Sequence, residues 1–173
     1  MSIVEGLDKW TKNFNTGWLK AFTLTKTANW KLYSYVKNEV SPPSTGIDLS
    51  NAKLLFISSA GAYLPSIDKP FNASNILGDY SIRVFPVKTP YSELEYAHNH
   101  YDQTAVREDA QVLLPLTHLQ ALLDEKFIGS LSDIMISFMG YQPRVNKVVN
   151  KMIPEILKIV KQEQIDAVLL VPS

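Results

Sequence analysis

Three short segments of almost continuously apolar residues constrain the fold of this chain more than any other feature. They lie within residues 53–61, 133–140 and 167–171. Strands that lack polar alternation are buried on both faces, as in parallel sheets that helices cover. The sequence therefore predicts an α/β fold with a mostly parallel sheet flanked by helices. It would form three layers of the flavodoxin-like or Rossmann-like kind, preceded by an amino-terminal helical arm.

A leucine-rich segment between the first two apolar strands carries the clearest helix signal. Leucines recur at helical spacing from residue 116 to residue 123. Thr117 and Gln120 are spaced as a capping box, and Gly129 follows the last expected turn. The spacing predicts a helix that ends before this glycine.

A longer amphipathic helix is expected after Pro143. Pro154 lies inside it and should distort the helix near Asn150, whose carbonyl would lose its hydrogen-bond donor. Residues 81–87 alternate in polarity and contain a proline, which is typical of a strand near the edge of a sheet. The sequence leaves the direction of that strand open.

Residues 1–46 are expected to form the arm and its linker, ahead of an α/β domain at residues 47–173. Apolar side chains recur every three or four positions, at Leu7, Trp10, Phe14, Trp18 and Phe22. This spacing predicts a helix whose aromatic face packs on the body of the protein or on a second subunit, with an interfacial membrane helix as the alternative. Because a buried strand rarely ends a domain, we expect the α/β domain to be incomplete at its carboxyl end.

The composition excludes several classes of protein. The chain contains no cysteine, which excludes disulfides, cysteine-ligated metal centres and thiol catalysis by these residues. Lysine and arginine total 17 and balance 17 acidic residues, so no excess positive charge favours a nucleic-acid partner. No apolar run approaches the roughly 20 residues of a membrane span, and no signal-peptide core is present. We expect a cytoplasmic protein.

Small and polar residues follow the apolar strands, at the positions where the strands end. Because the carboxyl ends of parallel strands share one edge, these residues are candidates for binding a substrate there. Glycines at this edge would let the main chain approach a ligand closely. The alternative is ordinary loop chemistry at strand ends. The candidates are Ser58, Ser59, Gly61, Tyr63, Ser137, Gly140, Arg144 and Ser173.

The polar segment AHNHYDQT, residues 97–104, contains candidates for catalysis. His98, His100 and Asp102 alternate, so they would point the same way in an extended segment. The pattern begins like a metallohydrolase motif, but Gln103 stands where another histidine would be needed. His118 lies on the leucine-rich helix, so a metal site would be short of ligands. A structural hydrogen-bonding cluster and a role in proton transfer or substrate binding are both open.

Six motifs, taken in order, resemble part of one protein family. They are SSAGAYL, GDYSIRVFP, HNHYD, VLLPLTHLQALLDEKFIGSLSD, SFMGYQP and IDAVLLVPS, and they lie within residues 54–173. This series resembles the amino-terminal two thirds of the selenoprotein B family. The family includes the substrate-specific subunits of glycine, sarcosine and betaine reductase and the small subunit of D-proline reductase.

In that family a selenocysteine or cysteine follows the last of these strands at once and acts as the nucleophile in reductive C–N cleavage. The resemblance implies such a residue immediately after Ser173 in a full-length form, no cofactor within this chain, and an inactive 173-residue chain. Selenocysteine is encoded by UGA, so a reading frame interpreted without recoding would end here. His98 or His100 would then protonate the leaving amine.

A substrate carboxylate would need a cationic partner. Arg83, Arg107 and Arg144 are the candidates, because a guanidinium binds a carboxylate through two parallel hydrogen bonds. Tyr101, beside the histidines, is a further candidate for substrate binding. Surface solvation or a helix ion pair is the alternative for each arginine.

We therefore predict an oxidoreductase component that cleaves glycine, sarcosine, betaine or D-proline reductively. The expected partners are an amino-acid-like substrate, other reductase subunits and a second copy of the chain, with no nucleic acid, membrane or bound metal. One alternative is a non-catalytic module that binds a small carboxylate or a partner subunit. The other is a metal-dependent hydrolase that uses His98, His100 and Asp102.

Overall fold

The structure is a computed structural model that describes residues 4–39, 46–98 and 101–173. Its strands are β1 (Lys53–Ser58), β2 (Ala62–Tyr63), β3 (Ile82–Pro86), β4 (Glu95–Tyr96), β5 (Ser130–Phe138) and β6 (Ala167–Val171). Four of them form the central sheet in the order β3-β5-β1-β6. The short strands β2 and β4 pair separately as an antiparallel ribbon.

The central sheet is mixed but mostly parallel. β1 lies between β5 and β6 and runs parallel to both, with Ser58 opposite Ser137 and Val171. β3 runs antiparallel to β5 and occupies one edge of the sheet. An edge position tolerates Pro86, because a proline cannot donate a hydrogen bond to the ladder. The predicted α/β architecture and the edge strand at residues 81–87 are confirmed.

Short helices and two π-helical segments connect and cover the strands. The helices are α1 (Leu7–Asn13), α2 (Lys20–Thr25), α3 (Thr104–Glu108), α4 (Leu116–Asp124), α5 (Val145–Lys147) and α6 (Ile153–Gln162). The π-helical segments are Phe14–Leu19, between α1 and α2, and Val148–Met152, between α5 and α6. Turns of 3-10 helix occur at Trp30–Leu32, Leu49–Asn51, Tyr91–Glu93 and Ala110–Val112. Across the described residues, no helix is both long enough and apolar enough to cross a membrane.

Alternate residues of β1 face two apolar layers. Leu54 and Phe56 pack in one cluster with Leu119 of α4. Leu55 and Ile57 face the opposite cluster, next to α6. Burying each such side chain stabilises the fold by about 1.5–3 kcal/mol, so both layers hold the sheet. The α6 side of the second cluster consists of Ile156, Ile159 and Val160.

The start of α4 differs from the prediction. Its first turn is preceded by Pro115, no side chain caps it, and Thr117 lies inside the helix. Gln120 therefore does not complete a capping box. Its side-chain amide instead donates to Asp124 Oδ1 at 2.9 Å, one turn further along the helix. The chain leaves the helix through Lys126, which has a left-handed φ of 62°.

The predicted distortion near Asn150 is present. This residue lies in the π-helical segment Val148–Met152, directly before α6. Pro154 has no N–H to donate to the Asn150 carbonyl, so the regular hydrogen-bond pattern cannot continue across it. The helix begins at Val145 and not directly after Pro143.

The amino-terminal arm is helical over residues 7–25, and its aromatic face packs within the chain. Trp18 is 1% exposed and stacks on Phe22 and Trp30, with ring centroids 5.4 and 4.8 Å away. The Tyr33 hydroxyl donates to the Pro143 carbonyl at 3.0 Å. This hydrogen bond ties the arm to the segment that precedes α5.

Candidate functional site

The carboxyl ends of β1 and β6 are held together by two serines. The Ser173 N–H donates to Ser59 Oγ at 2.7 Å, and Ser173 Oγ donates to the Ser59 carbonyl at 3.0 Å. The two hydroxyl oxygens are also 3.0 Å apart. The parallel register of β1 and β6 makes this possible, because it places Ser58 opposite Val171. The chain that leaves β6 is therefore fixed against the end of β1.

Gly140, which follows β5, brings a third strand end to the same place. Its N–H donates to the Ser59 carbonyl at 3.1 Å. A Cβ on Gly140 would lie 3.2 Å from Ser173 Oγ, 3.3 Å from Ser59 Oγ and 3.4 Å from His98 Nε2. Four of the predicted residues thus converge. We call Ser59, Gly140, Ser173 and His98 the serine corner.

His98 is the buried side of the serine corner and is only 5% exposed. Its ring lies 4.6 Å from the ring of Tyr101, whose hydroxyl donates to the Ala60 carbonyl at 2.9 Å. The side-chain amide of Gln103 donates to the His98 carbonyl at 2.6 Å. Burial raises the pKa of Tyr101 to about 12, so this hydroxyl stays neutral near pH 7. The Tyr101 ring therefore packs beside the imidazole, while Gln103 anchors the main chain that carries it.

Of the other two predicted catalytic residues, His100 lies outside the described residues, and Asp102 is not part of this arrangement. Asp102 is exposed, and its Oδ1 accepts hydrogen bonds from Thr104 N–H at 2.9 Å and Thr104 Oγ at 2.8 Å. These bonds lower the pKa of Asp102, the backbone bond most. The carboxylate therefore supports the start of α3.

The guanidinium of Arg83 is bound by its own surroundings. It donates to the Lys69 carbonyl at 3.0 Å and to Ser81 Oγ at 2.9 Å. Asp68 lies 3.8 Å away, and the guanidinium carbon lies 4.3 Å from the centre of the Phe71 ring. Such contacts favour a role in holding the loop before β3.

Ser58 and Gly61 shape the main chain at the end of β1. Ser58 is fully buried; its Oγ donates to the Leu113 carbonyl at 3.0 Å and accepts from the Ala60 N–H at 3.2 Å. Gly61 has a left-handed φ of 66°, and a Cβ there would lie 3.0 Å from the Ala97 carbonyl oxygen. A glycine is therefore needed where the chain turns and meets the segment after β4 that carries His98.

The remaining predicted residues lie near this edge with different surroundings. Ser137 is fully buried, and its Oγ has no hydrogen-bond partner among the described residues. Arg144 donates its N–H to the Tyr80 hydroxyl at 2.7 Å, while its buried Nε has no partner in the described part of the chain. Tyr63 is half-buried and pairs with Glu95 in the β2-β4 ribbon.

A cleft that sequence reasoning missed lies between residues 91–96 and 106–111. Its volume is about 470 Å³, and its walls include Tyr96, Arg107 and Gln111. We call it the Arg107 cleft. The sequence signal was weak, because the walls come from a ribbon strand, a short helix and a 3-10 turn. Of these residues, only Arg107 was a candidate from the sequence.

Within residues 4–39, 46–98 and 101–173, no group of three or more histidine, aspartate or glutamate side chains is arranged to hold a metal ion.

Comparisons with known proteins agree with the sequence motifs. The profile of the glycine/sarcosine/betaine reductase selenoprotein B family matches residues 29–173. D-proline reductase subunit gamma of Acetoanaerobium sticklandii is 31% identical over 143 residues, which cover 80% of this chain and 57% of that subunit. The chain thus spans little more than half the length of the curated relative. No solved structure matches it.

Proposed function

The chain belongs to the glycine/sarcosine/betaine reductase selenoprotein B family, and on this premise we propose that it cleaves a C–N bond reductively as part of a cytoplasmic amino-acid reductase. The proposed substrates are glycine, sarcosine, betaine or D-proline. Other reductase subunits would supply electrons. Without residues beyond Ser173, the chain is proposed to be inactive.

The serine corner is the observation that supports this proposal. It lies at the carboxyl ends of parallel strands, where ligands bind in open α/β sheets. Ser173 is held there by hydrogen bonds to Ser59. The buried imidazole of His98 stands across Gly140 from both serines. A buried imidazole and the end of a strand therefore meet at one point.

The redox group has to come from outside these residues, since they contain no cysteine. We propose that the residue after Ser173 is a selenocysteine or a cysteine. Its side chain would supply an electron-rich nucleophile. The serine corner fits this group because it fixes the chain at Ser173 beside His98. The overall reaction takes up two electrons and two protons and turns the C–N bond into a C–H and an N–H bond. His98 would hold the proton that the amine nitrogen receives.

The test of this function is an extended protein. The gene is sequenced beyond codon 173 and expressed with selenocysteine or cysteine at the next position. With a dithiol as electron donor, we expect amine release from one of the four proposed substrates. The 173-residue chain should release none. An extended protein that is silent on all four substrates would overturn the assignment.

A histidine pair tests the role of His98. In the active extended protein, His98→Gln should lower kcat by about 10²–10⁴-fold, the usual contribution of a general acid. His118→Gln is the matched control, because His118 is exposed on α4. Equal activities of the two variants would show that His98 is not the general acid.

A second role, subunit interaction, is favoured by β6. This uncharged strand lies at an edge of the sheet, with Val168 and Leu170 47% and 57% exposed. An open apolar edge pairs readily with another strand, so we propose that a second copy of the chain covers it. Sedimentation should show self-association that Leu170→Lys weakens. Leu24→Lys, at a 76% exposed position on the arm, should leave it unchanged. A monomer at all concentrations would contradict this proposal.

A further inference from the structure

The Arg107 cleft is connected to the serine corner through Gln103. The side-chain amide of Gln103 donates to the His98 carbonyl at 2.6 Å and to the Tyr96 carbonyl at 3.3 Å. Its side-chain oxygen accepts from Arg107 Nη2 at 3.0 Å. One side chain therefore contacts both the main chain of the segment that carries His98 and the cation in the wall of the cleft.

Two buried polar atoms in the cleft walls have no hydrogen-bond partner among the described residues. They are the Tyr96 hydroxyl and Gln111 Oε1. Burial raises the pKa of Tyr96 to about 12, so the hydroxyl is a neutral donor near pH 7. Native proteins leave few buried polar atoms unpaired, because each costs about 1–3 kcal/mol. A donor and an acceptor left over in one cleft point to a ligand that carries both functions.

The cleft walls also carry charges of both signs. Among the described residues that form the walls, Arg107 is the one cation, while Glu95, Glu108 and Asp109 contribute carboxylates. The pair between Arg107 and Glu95 is loose, at 4.0 Å with both side chains more than half exposed. Among the described residues, Arg107 uses one of its guanidinium nitrogens for a hydrogen bond, to Gln103. Its other guanidinium donors are available to an anion, whereas the surrounding carboxylates favour a positive charge.

We propose that the Arg107 cleft binds the zwitterion of an α-amino acid that retains at least one N–H, a specificity that rests on the proposed function and narrows it. Arg107 and the Tyr96 hydroxyl bind the carboxylate, and Gln111 Oε1 accepts from the ammonium group. Glycine, sarcosine and proline satisfy all three residues. Betaine carries a carboxylate and a positive charge but no N–H, so it leaves Gln111 unpaired. Acetate lacks the cationic part altogether.

Ligand titration of the 173-residue chain by calorimetry tests this specificity. We expect glycine, sarcosine or D-proline to bind at least tenfold more tightly than betaine and acetate, which is the scale of one hydrogen bond to a charged group. Arg107→Met, Tyr96→Phe and Gln111→Met should each weaken amino-acid binding about tenfold or more. The same changes at exposed positions, Tyr35→Phe and Gln162→Met, should have no effect.

Thermal unfolding separates loss of binding from loss of folding. Tyr96→Phe removes a hydroxyl that has no described partner, so the unfolding temperature of the free chain should stay the same or rise. Affinity should nevertheless fall. A structural role for the hydroxyl would instead lower the unfolding temperature.

The proposal is overturned if acetate and glycine bind equally, if the cleft variants bind like the controls, or if no amino acid binds the chain. These results are independent of catalysis. If the extended protein releases amine and Arg107→Met leaves its KM unchanged, the cleft is not the substrate site, but the proposed function stands. If the chain binds amino acids and the extended protein releases no amine, the cleft proposal stands and the proposed function is wrong.

Discussion

Replacing Gly140 by alanine tests the packing of the serine corner most directly. The new Cβ would lie 3.2 Å from Ser173 Oγ, 3.3 Å from Ser59 Oγ and 3.4 Å from His98 Nε2. Such distances are tighter than nine in ten Cβ contacts in real proteins, so the neighbours have to move by a few tenths of an ångström. Ser59 and His98 are each 5% exposed and cannot move far, whereas Ser173 is exposed. We expect Ser173 to shift and its bonds to Ser59 to weaken.

The size of this effect follows from two opposing contributions. Gly140 itself is exposed, but two of the three atoms that its Cβ would meet belong to the buried side chains of Ser59 and His98, so we expect an overpacking cost of about 1–2 kcal/mol, the lower part of the usual range. Gly140 does not have a positive φ. Alanine would therefore also restrict the unfolded chain, which stabilises the folded state by about 0.4–1 kcal/mol. Gly140→Ala should therefore lower the free energy of unfolding by about 1 kcal/mol.

Urea denaturation of a double-mutant cycle checks the cause. Ser173→Ala removes the nearest clashing atom, so Gly140→Ala should cost about 0.5–1 kcal/mol less in that background. Ser66→Ala, at an exposed position elsewhere, should leave the cost of Gly140→Ala unchanged. Equal costs in all three backgrounds, or a stabilising Gly140→Ala, would refute the described contact between Gly140 and Ser173.

Two further predictions concern residues around β3. Arg83→Met should lower the free energy of unfolding in urea by about 1–3 kcal/mol, because the Lys69 carbonyl and Ser81 Oγ lose their donor. Amino-acid affinity should not change, and unchanged stability with lost binding would instead assign Arg83 to the substrate. Burial by itself would raise the pKa of Asp79, but hydrogen bonds from Ser81 and the Asn72 N–H outweigh it and hold that pKa below the ordinary 3.8. A lowered pKa adds stability that is present above the ordinary value and is lost as the pH falls through the folded-state value. Unfolding titrations below about pH 4 should therefore be flatter for Asp79→Asn, and identical acid limbs would contradict this.

Local signals were sufficient for most of the fold. Apolar runs identified β1, β5 and β6, and the missing N–H of Pro154 was enough to predict a distortion at Asn150. The direction of β3 could not be predicted, because residue alternation does not encode whether a neighbour is parallel. The predicted start of α4 was wrong, because the residue spacing suggested a capping box that the backbone at Pro115 does not form.

The candidate site divides in the same way. Parallel strands end at a common edge, so the approach of Ser59, Gly140 and Ser173 could be anticipated from strand patterns. Residue alternation also grouped Asp102 with His98, yet the Asp102 carboxylate binds Thr104. Short-range hydrogen bonding by aspartate competes with any more distant role, and spacing does not reveal which one prevails.

By itself, the sequence determined the chemical class of the chain: buried parallel strands, no cysteine, and motifs of one reductase family. Only the tertiary structure decided which polar groups share a site. His98 reaches the serine corner because Ala97 N–H donates to the Gly61 carbonyl at 3.0 Å, and the Arg107 cleft forms where residues 91–96 meet residues 106–111. The physical reason is that strand and helix patterns repeat over a few residues, whereas a site depends on contacts between residues far apart in the chain.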